Sequence, residues 1–291
     1  MFINTTKDDS WSVCSGVIDQ VAGHEQVSRL SLENIMQHEF VGDTKDGGIA
    51  LCLADPDGHS IPLFCQESAG ATIEMTVDPG RGLSHPSGTI HSVVPEALGA
   101  ANHIGELSAG CHCGGVTFWV TRPNAASEAC SSPYPDLLLP YHSSSSANPA
   151  DEKWWLRANK SKYLAGTCAC RSCRLGSGSP IQTWAFIPRT NLVQSDRKQI
   201  DYGMGALKEI ESSKGCFRNF CGTCGATVFW HCQERPDLVD VSIGLLRAEE
   251  GSRAETWLQW WTGRVSFIED ALDQVLIGNL QRGLPRIKVE G

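Results

Sequence analysis

The chain lacks an uninterrupted apolar run approaching the roughly 18 residues of a membrane helix. Its N-terminus, MFINTTKDDSWSV, is polar and acidic, without the basic start and apolar stretch of a secretion signal. Basic residues are also in deficit: 24 Lys and Arg stand against 33 Asp and Glu, a net charge of −9. No basic stripe is present, which argues against a nucleic-acid partner. These absences predict a soluble protein of the cytoplasm or nucleus, with no membrane partner. Hydrophobic residues make up 41% of the 291 positions, enough for a buried core and against wholesale disorder.

Cysteine, by contrast, is abundant, with thirteen in the chain. A reducing compartment disfavours disulfides, and an odd count leaves one thiol over in any fully paired scheme. Seven of them fall in three clusters: Cys111 and Cys113 in GCHCGG; Cys168, Cys170 and Cys173 in GTCACRSCRLGSG; Cys221 and Cys224 in NFCGTCGA. The remaining six, Cys14, Cys52, Cys65, Cys130, Cys216 and Cys232, are scattered.

C-x-x-C-G has the form of a zinc knuckle, a tight turn that sets two sulfurs on one side with backbone N–H groups aimed at them. Gly222 and Gly225 suit the close approach and the left-handed turn. A closed structural zinc takes four ligands, and the glycine-rich first cluster offers two more. Cys111, Cys113, Cys221 and Cys224 are therefore the candidate ligands of a structural zinc clamping segments some 110 residues apart. Cys168, Cys170 and Cys173 are left with no evident fourth protein ligand. Three protein ligands and an open position is the usual form of a catalytic zinc. A redox pair would need its C-x-x-C to open a helix in a βαβ pattern, which neither candidate shows. Iron at the four-cysteine site is chemically possible; zinc fits better.

The order C-x-C, C-x-C-x-x-C, R-x-F-C-x-x-C-G resembles the glutathione-dependent formaldehyde-activating enzymes, a family that includes the centromere-protein-V-like proteins. The likeness rests on Cys111–Gly114, on Cys168–Arg174 with Ser177 and Gly178, and on Arg218–Gly225, and it runs from about Gly105 to Leu284. IQTWAFIPRTNL and ATVFWH also look like family strands. The resemblance implies a zinc-bound β fold, the β-tent of small antiparallel sheets, and two zinc ions per chain. It also implies carbon–sulfur lyase or synthase chemistry on a thiol–aldehyde adduct such as S-hydroxymethylglutathione, or on a related small carbonyl compound, with glutathione as the thiol. The alternative is a non-catalytic, zinc-stabilised module that binds a protein. Glutathione's two carboxylates would favour arginine clamps, which makes Arg171, Arg174 and Arg218 candidates for substrate contact. Ser172 and Ser177 are candidate donors to metal-bound sulfur. His112 and His231 are not expected to act as bases.

Strands are expected at 115–120, 183–188, 226–231 and 238–246, rich in β-branched and aromatic residues. The span 122–162 reads as an irregular, mobile insertion, with Trp154 and Trp155 docking its end. Leu272, Val275, Leu276 and Leu280 have helical spacing, with Asp270 as the expected N-cap. Trp11–Gln20 resembles Val239–Ala248, and His38–Gly47 resembles Val265–Gln274. The expected organisation is therefore the tail of a truncated first copy without metal clusters at 1–45, a linker with short strands at 46–104, and a complete zinc domain at 105–291.

Overall fold

The computed structural model describes residues 2–5, 10–17, 35–53, 60–65, 76–78, 82–84, 105–134, 139 and 141–287. The expected tail and linker are thus described only in part. Two short hairpins lie there: β1 (Phe2–Thr5) with β2 (Ser10–Val13), and β3 (Thr76–Asp78) with β4 (Gly82–Ser84).

The rest is mainly β. A small antiparallel sheet joins β5 (Glu106–Gly110), β6 (Thr117–Thr121) and β10 (Leu192–Val193) in the order β10-β6-β5. A larger sheet contains β7 (Leu156–Arg157), β8 (Lys162–Cys168), β9 (Gln182–Pro188), β11 (Leu207–Ser213), β12 (Cys216–Cys221), β13 (Thr227–Cys232), β14 (Arg235–Ser242) and β15 (Leu258–Trp260). Its order is β11-β12-β13-β14-β9-β8-β15, with β7 beside β8. Every pair is antiparallel except β15 with β8.

Side-chain chemistry follows position in this sheet. Central β8, β9 and β14 are buried along almost their whole length and carry Leu, Ala, Trp, Phe, Ile and Val. Edge strand β11, LKEIESS, is buried only at Leu207. Its Lys208, Glu209 and Glu211 discourage edge-to-edge pairing. The two sheets meet through a single core, in which the Phe118 and Phe229 rings stand 5.0 Å apart.

The span 122–162 is more built than its composition suggested. Helix α1 (Ala125–Ala129) is capped by the Asn124 side chain, which accepts from Ala126 and Ser127 N–H. Trp154 and Trp155 are buried in the main core, and Trp155 Nε1 donates to Ser127 O at 3.1 Å. Packing is thus their role.

The C-terminal helix, α3 (Gln274–Gly283), starts later than expected. Asp273, not Asp270, caps it, accepting from Leu276 N–H at 2.8 Å. Phe267 adopts a left-handed conformation and leads into a 3-10 turn, Ile268–Asp270, which delays the helix. Ile277 therefore joins Leu276 and Leu280 in the core, while Val275 faces out.

Residues 35–53 dock on this end of the molecule. Asp46 accepts from Arg253 N–H at 2.6 Å and Ser252 Oγ at 3.0 Å, and Arg286 donates to Leu51 O. Gly283 lies so close that a Cβ there would sit 1.8 Å from Cys52 O.

Candidate metal centres

The first cysteine group lies where the two sheets approach. Cys111 follows β5, Cys221 ends β12, and Cys113 and Cys224 occupy the turns that follow each. Both turns fold back on themselves: Gly114 N–H donates to Cys111 O and Gly225 N–H to Cys221 O. Gly114 and Gly225 have φ of 73° and 76°, the left-handed region in which glycine is at ease.

The four sulfurs lie within 4.8 Å of one another, with Cys111–Cys113 at 3.5 Å and Cys113–Cys221 at 3.6 Å. A tetrahedron of ~2.3 Å zinc–sulfur bonds would set sulfurs about 3.8 Å apart, so the group fits zinc without rearrangement. Backbone donors also face the sulfurs: Val116 N–H to Cys111 Sγ at 3.3 Å and Gly115 N–H to Cys113 Sγ at 3.4 Å. The Cys224 N–H, with help from that of Thr223 and against burial, holds the Cys221 thiol down at about 6. Arg247, which sequence reasoning passed over, donates to Gly110 O at 2.7 Å and brings a cation beside Cys111.

The second group is built on one strand–helix junction. Cys168 ends β8, Cys170 is the N-cap of α2 (Arg171–Ser177), and Cys173 lies in its first turn. Their sulfurs also lie within 4.8 Å of one another, and among the described residues no fourth His, Cys, Asp or Glu joins them. Cys170 Sγ accepts from Cys173 N–H at 3.3 Å. Hydrogen bonds from the Cys168 and Cys173 thiols pull Cys170 down to about 2, while its bond to Cys170 pushes Cys168 up. Of the three thiols, Cys170 is thus the one held toward its anion. Cys173 Sγ accepts from Trp184 Nε1 and from Arg218 Nη2, each at 3.4 Å.

This trio forms part of the wall of a cavity of about 420 Å³. Trp184, Phe186, Trp230 and Phe267 give it an aromatic lining. Its charged wall residues include Arg218 and a buried ion pair, Arg235 with Asp240. Burial pushes the Asp240 carboxyl up to about 6, against the pull of Arg235.

Of the three arginines expected at the substrate, only Arg218 reaches this wall. Its Nε donates to Ser172 Oγ at 3.1 Å. Arg171 is exposed on α2, outside the cavity lining. Arg174 is buried and donates to Gly16 O at 2.7 Å, pinning the segment Cys14–Val17 to the helix. Ser172 lies in the wall, whereas Ser177 Oγ accepts from Ser179 N–H. His112 is exposed. His231 stacks on Tyr202 with ring centroids 3.8 Å apart and meets Glu209 at 3.0 Å, away from the cavity lining. Trp184, Trp230, Arg235 and Asp240 carried no cluster spacing and were not legible as site residues.

Residues 155–264 match the family model of the glutathione-dependent formaldehyde-activating enzymes, covering the trio, Arg218, Cys221 and Cys224. No curated protein matches the chain. A solved protein of Rhodobacter sphaeroides is 17% identical, covering 53% of this chain and 98% of that one, with a TM-score of 0.29. A likeness at that score carries no argument here.

Proposed function

We propose, from the family match at 155–264, that this chain is a zinc-dependent enzyme of carbon–sulfur chemistry. In this reading Cys111, Cys113, Cys221 and Cys224 hold a structural zinc, and Cys168, Cys170 and Cys173 hold a second one that meets substrate. The observation that carries it is a coordinatively unsaturated thiol trio in the wall of a cavity large enough for a small molecule. The substrate is a thiol–aldehyde adduct of the S-hydroxymethylglutathione kind, or a related small carbonyl compound. A filled pocket would favour the zinc-stabilised protein-binding module instead.

Zinc at the trio would supply the positive charge that keeps a substrate thiol ionised near neutral pH. The protein's own groups do the rest. Arg218 and the Trp184 N–H fix Cys173 and offset the charge of the three sulfurs. The aromatic side chains give the space beside the trio an apolar surface against which the carbonyl compound can pack. In the synthase direction the thiol sulfur bonds to the carbonyl carbon and the C=O π bond opens. The carbonyl oxygen then takes up a proton equal to the one the thiol lost. The lyase direction is the reverse. Two carboxyls line the same cavity, Glu234 and Asp240; Asp240, paired with Arg235 and held up to about 6 by burial, is the candidate proton carrier.

Residues 1–45 fit the tail of a first domain copy, with 46–104 linking it to the domain at 105–291. Two local likenesses support this. Phe40 and Phe267 have φ of 57° and 55°, and each leads into a 3-10 turn. Gly16 and Gly244 sit mid-way in the 3-10 turns Ser15–Val17 and Ile243–Leu245.

The direct test is turnover of formaldehyde with glutathione above the spontaneous rate. Cys170→Ser should lower zinc content by one ion and remove the excess rate. Equal rates with and without the substitution, in a protein that has lost that zinc, would reject the assignment.

A further inference from the structure

Two cysteines outside both metal groups share the same cavity wall. Cys216 opens β12 and Cys232 ends β13, and the register sets them directly opposite each other. Gln233 N–H donates to Gly215 O at 2.9 Å, so the flanking residues form the hydrogen-bonded pair. Cys216 and Cys232 therefore occupy a non-hydrogen-bonded position, where Cα atoms stand about 4.5 Å apart and side chains project to the same face at closest approach. That spacing falls within the ~4.4–6.8 Å Cα window of a disulfide. Both thiols are free. Cys216 is half-buried, and Cys232 is buried.

We propose that Cys216 and Cys232 form a dithiol site that reacts with low-molecular-weight disulfides and closes into a reversible cross-strand disulfide. The order of attack is set by access. Cys216, the more open of the two, loses its proton and attacks one sulfur of the incoming disulfide. That S–S bond breaks, and the first small thiol leaves with a proton. Cys232 then loses its proton and attacks the Cys216 sulfur of the mixed disulfide, releasing the second small thiol. Two protein thiols are oxidised by two electrons, and one small disulfide is reduced to two thiols. Burial pushes the Cys232 thiol above its ordinary value, which suits a resolving thiol shielded from outside attack. The cavity gives the incoming disulfide room beside Trp230. This site does not depend on the reaction assigned to the trio.

The test uses the metal-loaded full chain and glutathione disulfide as the probe, with peptide mass mapping under non-reducing conditions and metal content measured in parallel. The wild type should acquire a cross-link between Cys216 and Cys232 with its metal retained. Dithiothreitol should reverse it. Cys232→Ser should accumulate a mixed disulfide at Cys216 that does not resolve. Cys216→Ser should react at Cys232 at least about tenfold more slowly than the wild type reacts at Cys216, as access sets thiol exchange rates. Cys232→Ala serves as the second variant if the serine form is unstable. The proposal fails if no cross-link forms at high disulfide excess, if the metal-site cysteines oxidise first, or if Cys216→Ser reacts as fast as the wild type.

Discussion

Replacing Arg218 with Met should weaken one metal site and spare the other. Arg218 is only 7% exposed, yet its guanidinium makes two contacts at the trio: Nη2 to Cys173 Sγ and Nε to Ser172 Oγ. A hydrogen bond involving a charged group contributes about 1.5–3 kcal/mol. At ~1.4 kcal/mol per decade, losing the bond to Cys173 should weaken zinc at the trio about 10- to 150-fold. An independent scale agrees, since loss of a group supporting a metal ligand costs about 10- to 100-fold. Met roughly conserves the buried volume, so the sheet should still fold. The assay is competition with a chromogenic chelator, read as two separate zinc releases. Only the weaker release should shift. Arg218→Lys should fall between, because an ammonium does not reproduce the planar fork that reaches both partners. A shift of both releases, or of neither, refutes the assignment of Arg218 to the trio.

Three further outcomes are expected. Cys224→Ser should unfold the domain, since structural zinc contributes on the order of 10 kcal/mol, whereas Cys170→Ser should leave it folded; thermal melts of both variants, with and without chelator, compare them. Gly283→Ala should destabilise by about 1–3 kcal/mol despite alanine's better helix propensity, because its Cβ would collide with Cys52 O; a rise in melting temperature would contradict the docking of 35–53. Burial holds the His38 imidazole below its ordinary 6.5, so the unfolded chain binds more protons below that pH and stability falls as pH drops through it. His38→Gln should flatten that part of the profile in urea unfolding from about pH 7.5 to 5.5, the range around the free imidazole value.

The seven clustered cysteines were legible because a turn's geometry fixes their spacing locally, whatever the rest of the chain does. The strands 117–121 and 182–188 were legible from their β-branched and aromatic content. Strand β8, KYLAGTC, was not set apart from the preceding insertion, because Ala165 and Gly166 dilute its pattern. The cavity wall was hidden for a different reason. Trp184, Trp230 and Asp240 come from β9, β13 and β14, and only the register of three adjacent strands brings them to one place. Arg174 was misleading for the converse reason. It stands next to Cys173 in sequence, yet it is spent on a backbone carbonyl 158 positions away.

Strand β12 threads all of the sulfur chemistry: Cys221 at one end belongs to the tetrad, Arg218 in the middle braces the trio, and Cys216 at the other end faces Cys232. Six residues of extended chain make a stiff bar of roughly 20 Å. Anchoring one end by a metal sets where the middle and far end lie. Loading should therefore be sequential, with the four-thiol position occupied before the three-thiol position reaches its full affinity.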